Sequence, residues 1–411
     1  MAVLPRCRDR SITGVGVRWF LTFVLIFAAP AMSRADNLTL SCLNVGNVLA
    51  SCRDAAARFS EQTGHTVRVV AADTAGRSAL ENYRTLMDVG SPRLDVIQLS
   101  ESWVPALAPD LATLGTIADP DQVPAALTEL GEANGRIVAW PQHIAVTLLY
   151  VRGGIAGAEP FDDWSDLRGT LLDLPDDGAD GLVFGGAGST MFPLFLDWFY
   201  SFGGQDLSDR RTLTAALQLL NDTIGVIAAP GLVDTTAGDA MAEFTAGRSA
   251  ALVARSTTFD SVSTSQIGED LVTILRPNAN ADDPTTPRLV STWLVGVPRF
   301  SPNQESAKQL AAFLVSDAEE RRAAVEFGVA PARTALFEDP EVHSVNPIMA
   351  NIAESLPFLT PLPVDKYGEA YLDLADGVAE TVREMLRGDT DGATAASTIV
   401  RMVRAAERRS E

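Results

Sequence analysis

Histidine is almost missing from this 411-residue sequence, which has three: His65, His143 and His343. They lie far apart, with no H-x-x-x-H pair and no Cys/His spacing, so a histidine-built metal site is not expected. The five tyrosines are unclustered, which argues against a tyrosine-rich iron site. There is no G-x-S-x-G segment, and hence no nucleophile elbow. A glycosidase needs two placed carboxylates, but this chain is so acidic that their number decides nothing. No catalysis, cofactor or metal is therefore expected. Basic residues are also scarce, with 32 Lys and Arg against 53 Asp and Glu. Such a surface disfavours nucleic acid and anionic membrane, though it leaves the local charge of a pocket open.

Cysteine is limited to Cys7, Cys42 and Cys52. Cys7 belongs to an opening segment that reads as an export signal. Arg6, Arg8, Arg10 and Arg18 precede the apolar run Trp19–Ala29, and Ser33-Arg34-Ala35 suits signal peptidase. The run is too short for a permanent membrane span. The stretch before Trp19 is long for a signal's basic region, so translation could start further in. Residues 1–35 are expected to be a cleaved signal peptide, with the mature chain in the periplasm. No cysteine follows the cleavage site, so no lipid anchor is expected. Removing five Arg and one Asp leaves 27 basic and 52 acidic residues, a charge of −25. Cys42 and Cys52 remain, either as two buried thiols or as a disulfide. The oxidising compartment favours the disulfide.

What the chain does have is periodicity. Leu38, Leu40 and Leu43 form a short strand-like run, and Leu49, Cys52, Ala56 and Phe59 recur at helical spacing. Gly64 ends that helix, since glycine accepts the left-handed position after a helix. A second strand follows at "HTVRVVA", a helix over 77–89, and a third strand at Leu94–Ser100. This βαβαβ start is half of a doubly wound sheet, in which ligands sit beyond the carboxyl ends of the strands. Those ends are Asn44–Asn47, Ala72–Arg77 and Ser100–Trp103. The 376 residues after Ala35 exceed one usual core, so two lobes are expected. Further on, Arg136–Arg152 reads as two extended segments about Pro141. The loop "GGAGST", Gly185–Thr190, reads as a turn capped by Ser189; its alternative is a backbone N–H cradle for an anion or carbonyl oxygen. It is not a phosphate-binding loop of the Walker kind, because no Gly-Lys-Ser/Thr follows.

The segments "CLNVGNVLASCRDAAARFSEQTGHTV", "LDVIQLSESW", "GRIVAWPQHIAVTLLYVR", "SFGG", "LVSTWLVGVPRFSPN", "APARTALFEDPEV" and "VDKYGEAY" occur in this order. In that order they resemble the bacterial extracellular solute-binding proteins of ABC importers, most nearly the trehalose/maltose branch. The resemblance spans nearly the whole chain after residue 35. It implies an α/β, two-lobe periplasmic binding fold with hinge crossovers and a central cleft. It further implies no catalysis, and capture of a carbohydrate or related small polar solute between the lobes for delivery to an inner-membrane permease. A monomer is expected. On this reading lobe 1 is 36–141 with 293–334, and lobe 2 is 142–292 with 335–411.

The resemblance also implies ligand positions. Arg77, Trp293 and Arg333 match basic and aromatic positions of the family. Asn44, Asn47, Ser100 and Ser189 are added from the strand-end loops. Three positions where relatives carry carboxylates are here Val48, Ser100 and Ala145, and Glu101 is expected to face away from Ser100. The aromatic "RNWPY" segment of relatives appears as "ARSTTF", Ala254–Phe259. Fewer carboxylates beside two arginines imply a cleft biased toward an anionic, sugar-acid-like ligand. The rivals are a neutral saccharide, held by Asn44, Asn47, Gln98 and Ser100, and a binding fold that now serves as a periplasmic partner protein.

Overall fold

The apolar run after Asn37 forms β1 (Asn37–Leu43), whose last four residues are all buried. The computed structural model describes residues 35–72, 76–156, 161, 163–174, 180–228, 231–279 and 285–410. The expected signal peptide therefore lies outside the described residues, apart from Ala35. From β1 the chain enters α1 (Val48–Thr63), which packs Leu49, Cys52, Ala55, Ala56 and Phe59 inward. Gly64 ends α1 at φ 78°, and its N–H donates to the Ser60 carbonyl. β2 (Thr66–Ala72) then lies parallel to β1. α2 (Gly76–Asp88) leads to β3 (Val96–Ser100), parallel to β1 on its other side. The expected βαβαβ unit is thus present, with α2 displaced by one residue.

Cys42, in β1, is bonded to Cys52, in α1, with Cα atoms 6.5 Å apart. The bridge ties the first strand to the helix that covers it. It closes a short loop, for which the chain-entropy relation gives about 3 kcal/mol. Unfolding in guanidinium with and without reductant is expected to differ by roughly that amount, and thiol titration of the unreduced, unfolded chain should find neither Cys42 nor Cys52 free.

A small hairpin follows, β4 (Glu132–Ala133) and β5 (Arg136–Ile137). Next comes β6 (Ala139–Arg152), fourteen residues long and almost wholly buried. The sequence predicts a break at Pro141, yet the strand runs through it. Proline lacks the N–H that a central ladder uses. Here β10 (Arg288–Gly296) absorbs the defect: Leu294 pairs with Pro141, Trp293 pairs with His143, and Gln142 is left over as a bulge.

The remaining strands are β7 (Asp180–Phe184), β8 (Ser249–Arg255), β9 (Leu271–Leu275) and β11 (Leu359–Pro361). The sheet order is β2-β1-β3-β10-β6-β8-β7, with β11 on β10 and β9 on β6. β6 serves both halves: residues up to Val146 pair with β10, and residues from Thr147 pair with β8 and β9. Helices are placed by their caps. Asp163 caps Trp164–Leu172, Asp209 caps Arg210–Ile227 and Thr236 caps Ala237–Thr245, each accepting from backbone N–H groups of the first turn. No helix among the described residues is long and apolar enough to cross a membrane.

Candidate functional site

The carboxyl ends of β1, β3 and β8 converge. After β1 the chain turns through Gly46, at φ 45°. A Cβ on Gly46 would lie 2.6 Å from the Thr257 carbonyl oxygen, in the turn that follows β8. Only glycine allows that approach of two backbones from the two halves of the sheet. Beside this contact is a cavity of about 820 Å³, counted to its open mouth. Asn47, Val48 and Ile144 line it from the β1 and β6 side, Ser256, Thr257 and Phe259 from the β8 side, and residues 324–330 complete the wall. Val48 and the Thr257–Phe259 turn are two of the places where the family resemblance puts solute contacts. The lining includes the carboxylates of Asp260 and Glu326 and no lysine or arginine.

A second junction lies at the end of β3. Strand geometry stops at Ser100, and a 3-10 turn, Glu101–Trp103, begins. The alternation of faces therefore ends one residue early. Instead of facing away from Ser100, Glu101 accepts a hydrogen bond from the Ser100 hydroxyl at 3.1 Å. Its other oxygen, Oε1, is buried without a hydrogen-bond partner. Burial pushes this carboxyl up to about 7, opposed by the nearby Arg255 guanidinium. Arg255 ends β8 and donates to Thr147 Oγ1 at 3.3 Å and to the Ala145 carbonyl. Burial lowers its pKa, while Asp197 and Glu101 act to raise it. Tyr371 is held well above its usual range, by burial first and then by the Glu101 charge.

The structure separates the residues singled out from the sequence. Asn47 lines the cavity, and its Nδ2 donates to the Phe327 carbonyl at 3.0 Å. Asn44 is exposed just beyond β1. Ser100 caps the 3-10 turn and bonds to Glu101 and Ser102. Arg77 is an exposed residue of α2, paired with Asp376 at 2.7 Å and Asp373 at 3.1 Å. Trp293 is half-buried and stacked on His143, with ring centroids 5.0 Å apart. The Ser189 side chain lies outside the described residues; its backbone belongs to the short turn Gly188–Thr190, where Thr190 donates to the Gly185 and Ala187 carbonyls.

Arg333 is 1 % exposed. It donates to the carbonyls of Val315 and Ala118, each at 2.9 Å, and stands 3.5 Å from Glu320. Both arginines thus have acceptors within the protein, which removes the electrostatic reason for an anionic solute. Glu101 and Arg255 were not on the list read from sequence. The one signal for them was an acid one step past the expected position and an arginine closing a strand.

The chain matches the family described as bacterial extracellular solute-binding protein over residues 54–350, and it belongs to that family. It is 23% identical over 393 residues to a probable ABC transporter-binding protein of Deinococcus radiodurans, covering 89% of this chain and 92% of that one. Its fold is that of the maltose-bound MalE3 of T. maritima, with a TM-score of 0.80 at 23% identity, covering 90% of this chain and 100% of that one. The GacH receptor of Streptomyces glaucescens, solved unliganded and with acarbose, also gives 0.80, at 18% identity over 92% and 99% of the two chains. The architecture is therefore the two-lobe α/β binding fold.

Proposed function

We propose that this protein captures a carbohydrate, or a related small polar solute, between its lobes in the periplasm and hands it to the permease of an ABC importer. Residues 1–35 act as the cleaved signal. Lobe 1 takes 36–141 and 293–334, and lobe 2 takes 142–292 and 335–411. The observation that carries the reading is the cavity of about 820 Å³ where the turn after β1 meets the turn after β8. It is open to solvent, and it mixes polar groups with the half-buried ring of Phe259, as ligand sites do. Family membership and the named importer relative support the transport role. The maltose and acarbose complexes of the structural neighbours support a sugar-like solute. A neutral solute is favoured over an acid, because Arg77 and Arg333 are each satisfied within the protein.

Thermal shift of the purified protein against disaccharides, polyols, amino sugars and sugar acids tests this. A bound solute at a hundredfold excess over its Kd stabilises by about 2.7 kcal/mol, which should raise the melting temperature by several degrees. No shift with any member of the panel would reject solute capture and leave the partner-protein role.

A further inference from the structure

We propose that a second, smaller cavity behind the wall of the first is a built site for one internal water molecule, which joins His143 Nε2 to Glu320 Oε1. The site is independent of what the larger cavity binds.

His143 and Glu320 are each 2 % exposed. His143 lies in β6, just past the bulge at Gln142, and Glu320 lies in the helix Asp317–Phe327. Nε2 of the one and Oε1 of the other are buried without a hydrogen-bond partner. Both residues line the same cavity, and α1 covers it with Val48, Ser51, Cys52 and Ala55. Val48 and Val329 line this cavity and the larger one, so the two share a wall. A buried polar atom left unpaired costs stability, and native proteins satisfy most of them with protein groups or ordered water. Two such atoms in the lining of one cavity point to an occupant.

The size and chemistry of the cavity select that occupant. The space open to the centre of a water-sized molecule is about 20 Å³, which admits one water. A buried water makes about three hydrogen bonds, and the lining supplies a third partner beside the two orphaned atoms. Gln142 Oε1 accepts from Gln98 Nε2 at 2.7 Å, while Gln142 Nε2 reaches only the Leu314 carbonyl, at 3.5 Å. Its second N–H remains for the occupant, as does the Ser51 hydroxyl. Glu319, also in the lining, is turned onto Arg58, whose Nε donates to it at 3.2 Å.

Ions fit poorly. Burial disfavours charge on both groups: it drives the Glu320 carboxyl well above its usual range and the His143 ring down to about 3. An anion would meet the oxygens of Glu319 and Glu320. Among the described residues no group of three or more His, Cys, Asp or Glu is placed to hold a metal ion. Water serves either proton arrangement, donating to a lone pair or accepting from an N–H or O–H. In this position it links the crossing strand β6 to the helix whose end walls the larger cavity.

The test is a crystal structure of the wild type at a resolution that shows ordered solvent, from crystals grown in sodium and in rubidium salts. One water is expected within about 2.5–3.2 Å of both atoms, with no anomalous signal from rubidium. Oxygen-17 relaxation dispersion counts long-lived waters in solution. Ala55→Val adds two methyl groups to the cavity lining and is expected to lower that count by about one. It should also lower the urea midpoint, because it evicts the water and strands the two polar atoms.

A cavity without density would overturn the proposal, and so would an unchanged water count in Ala55→Val with a midpoint that holds or rises, as cavity filling produces. A rubidium peak would replace the water with a monovalent cation and overturn it as well. A water bonded to only one of the two atoms would overturn the bridge. If Ala55→Val does not fold, the wild-type density decides alone.

Discussion

Arg333→Ala is expected to cost about 3–5 kcal/mol of stability, the range for removing one partner from a buried ion pair. The loss should appear in unfolding, and the fraction that stays folded should bind solute as the wild type does. The reason lies in what the guanidinium holds together. It ties the Val315 carbonyl, at the end of one helix, to the Ala118 carbonyl in a distant loop. It also stands beside Glu320, whose Oε2 accepts from the Ala332 and Arg333 N–H groups while Oε1 has no hydrogen-bond partner. Burial drives the Glu320 carboxyl well above its usual range even with Arg333 beside it. Without Arg333 that buried carboxyl loses its neighbouring positive charge, and the two carbonyls lose their donor. Urea unfolding of Arg333→Ala and Arg333→Lys checks the point. Lysine, with a single point charge, should recover only part of the loss, because it cannot span both carbonyls. A variant of wild-type stability with much weaker binding would place Arg333 in the solute site instead.

The second large effect is acid sensitivity through His143. Its ring is buried and stacked on Trp293, with Nε2 lacking a hydrogen-bond partner. Burial pushes it down to about 3 from an ordinary 6.5. The folded state therefore keeps His143 neutral at pH values where the unfolded chain has already taken up a proton. Stability from this group is whole above 6.5 and is lost as pH falls toward 3. At about 1.4 kcal/mol per pH unit, the loss reaches roughly 5 kcal/mol.

Glu101 acts with the opposite sign. Its folded value of about 7 exceeds the ordinary 4.5, so the folded state holds the proton longer, and stability falls as pH rises from 4.5 through 7. On the same scale that amounts to about 3 kcal/mol. Between 4.5 and 6.5 the two slopes partly cancel. Below 4.5 His143 acts without that compensation. The His143→Phe variant, which keeps a ring against Trp293, should gain stability on going from pH 7 to 5 where the wild type changes little. Glu101→Gln should lose stability over the same interval. Denaturant titrations at half-unit pH steps read both. Parallel profiles for wild type and His143→Phe would show that the imidazole is not the acid-sensitive group.

Much of the first half of the sheet was legible because each signal was local. Leu38, Leu40 and Leu43 fixed a strand, and Gly64 fixed a helix end. The bridge between Cys42 and Cys52 followed from spacing and compartment. The site was less legible, because its determinants are not local. Pro141 reads as a break, and only the bulge at Gln142 lets β6 continue past it. Glu101 was set on the wrong side because period-two reasoning holds within a strand, and the strand stops at Ser100. Arg333 matched a family position, but residue type cannot reveal that Val315 and Ala118 place their carbonyls around it. The cavity wall at residues 324–330 comes from a helix end nearly 280 residues beyond Asn47, a distance across which no sequence period reaches.

The shared strand β6 has a mechanical consequence. A linker of loop residues would let the lobes swing with little resistance. Here β6 crosses from one half of the sheet to the other without interruption, hydrogen-bonded to β10 before the crossing and to β8 and β9 after it. Any turning of one lobe against the other must be taken up as added twist in β6 and in the strand beside it. The connection therefore behaves as a leaf spring with one preferred angle.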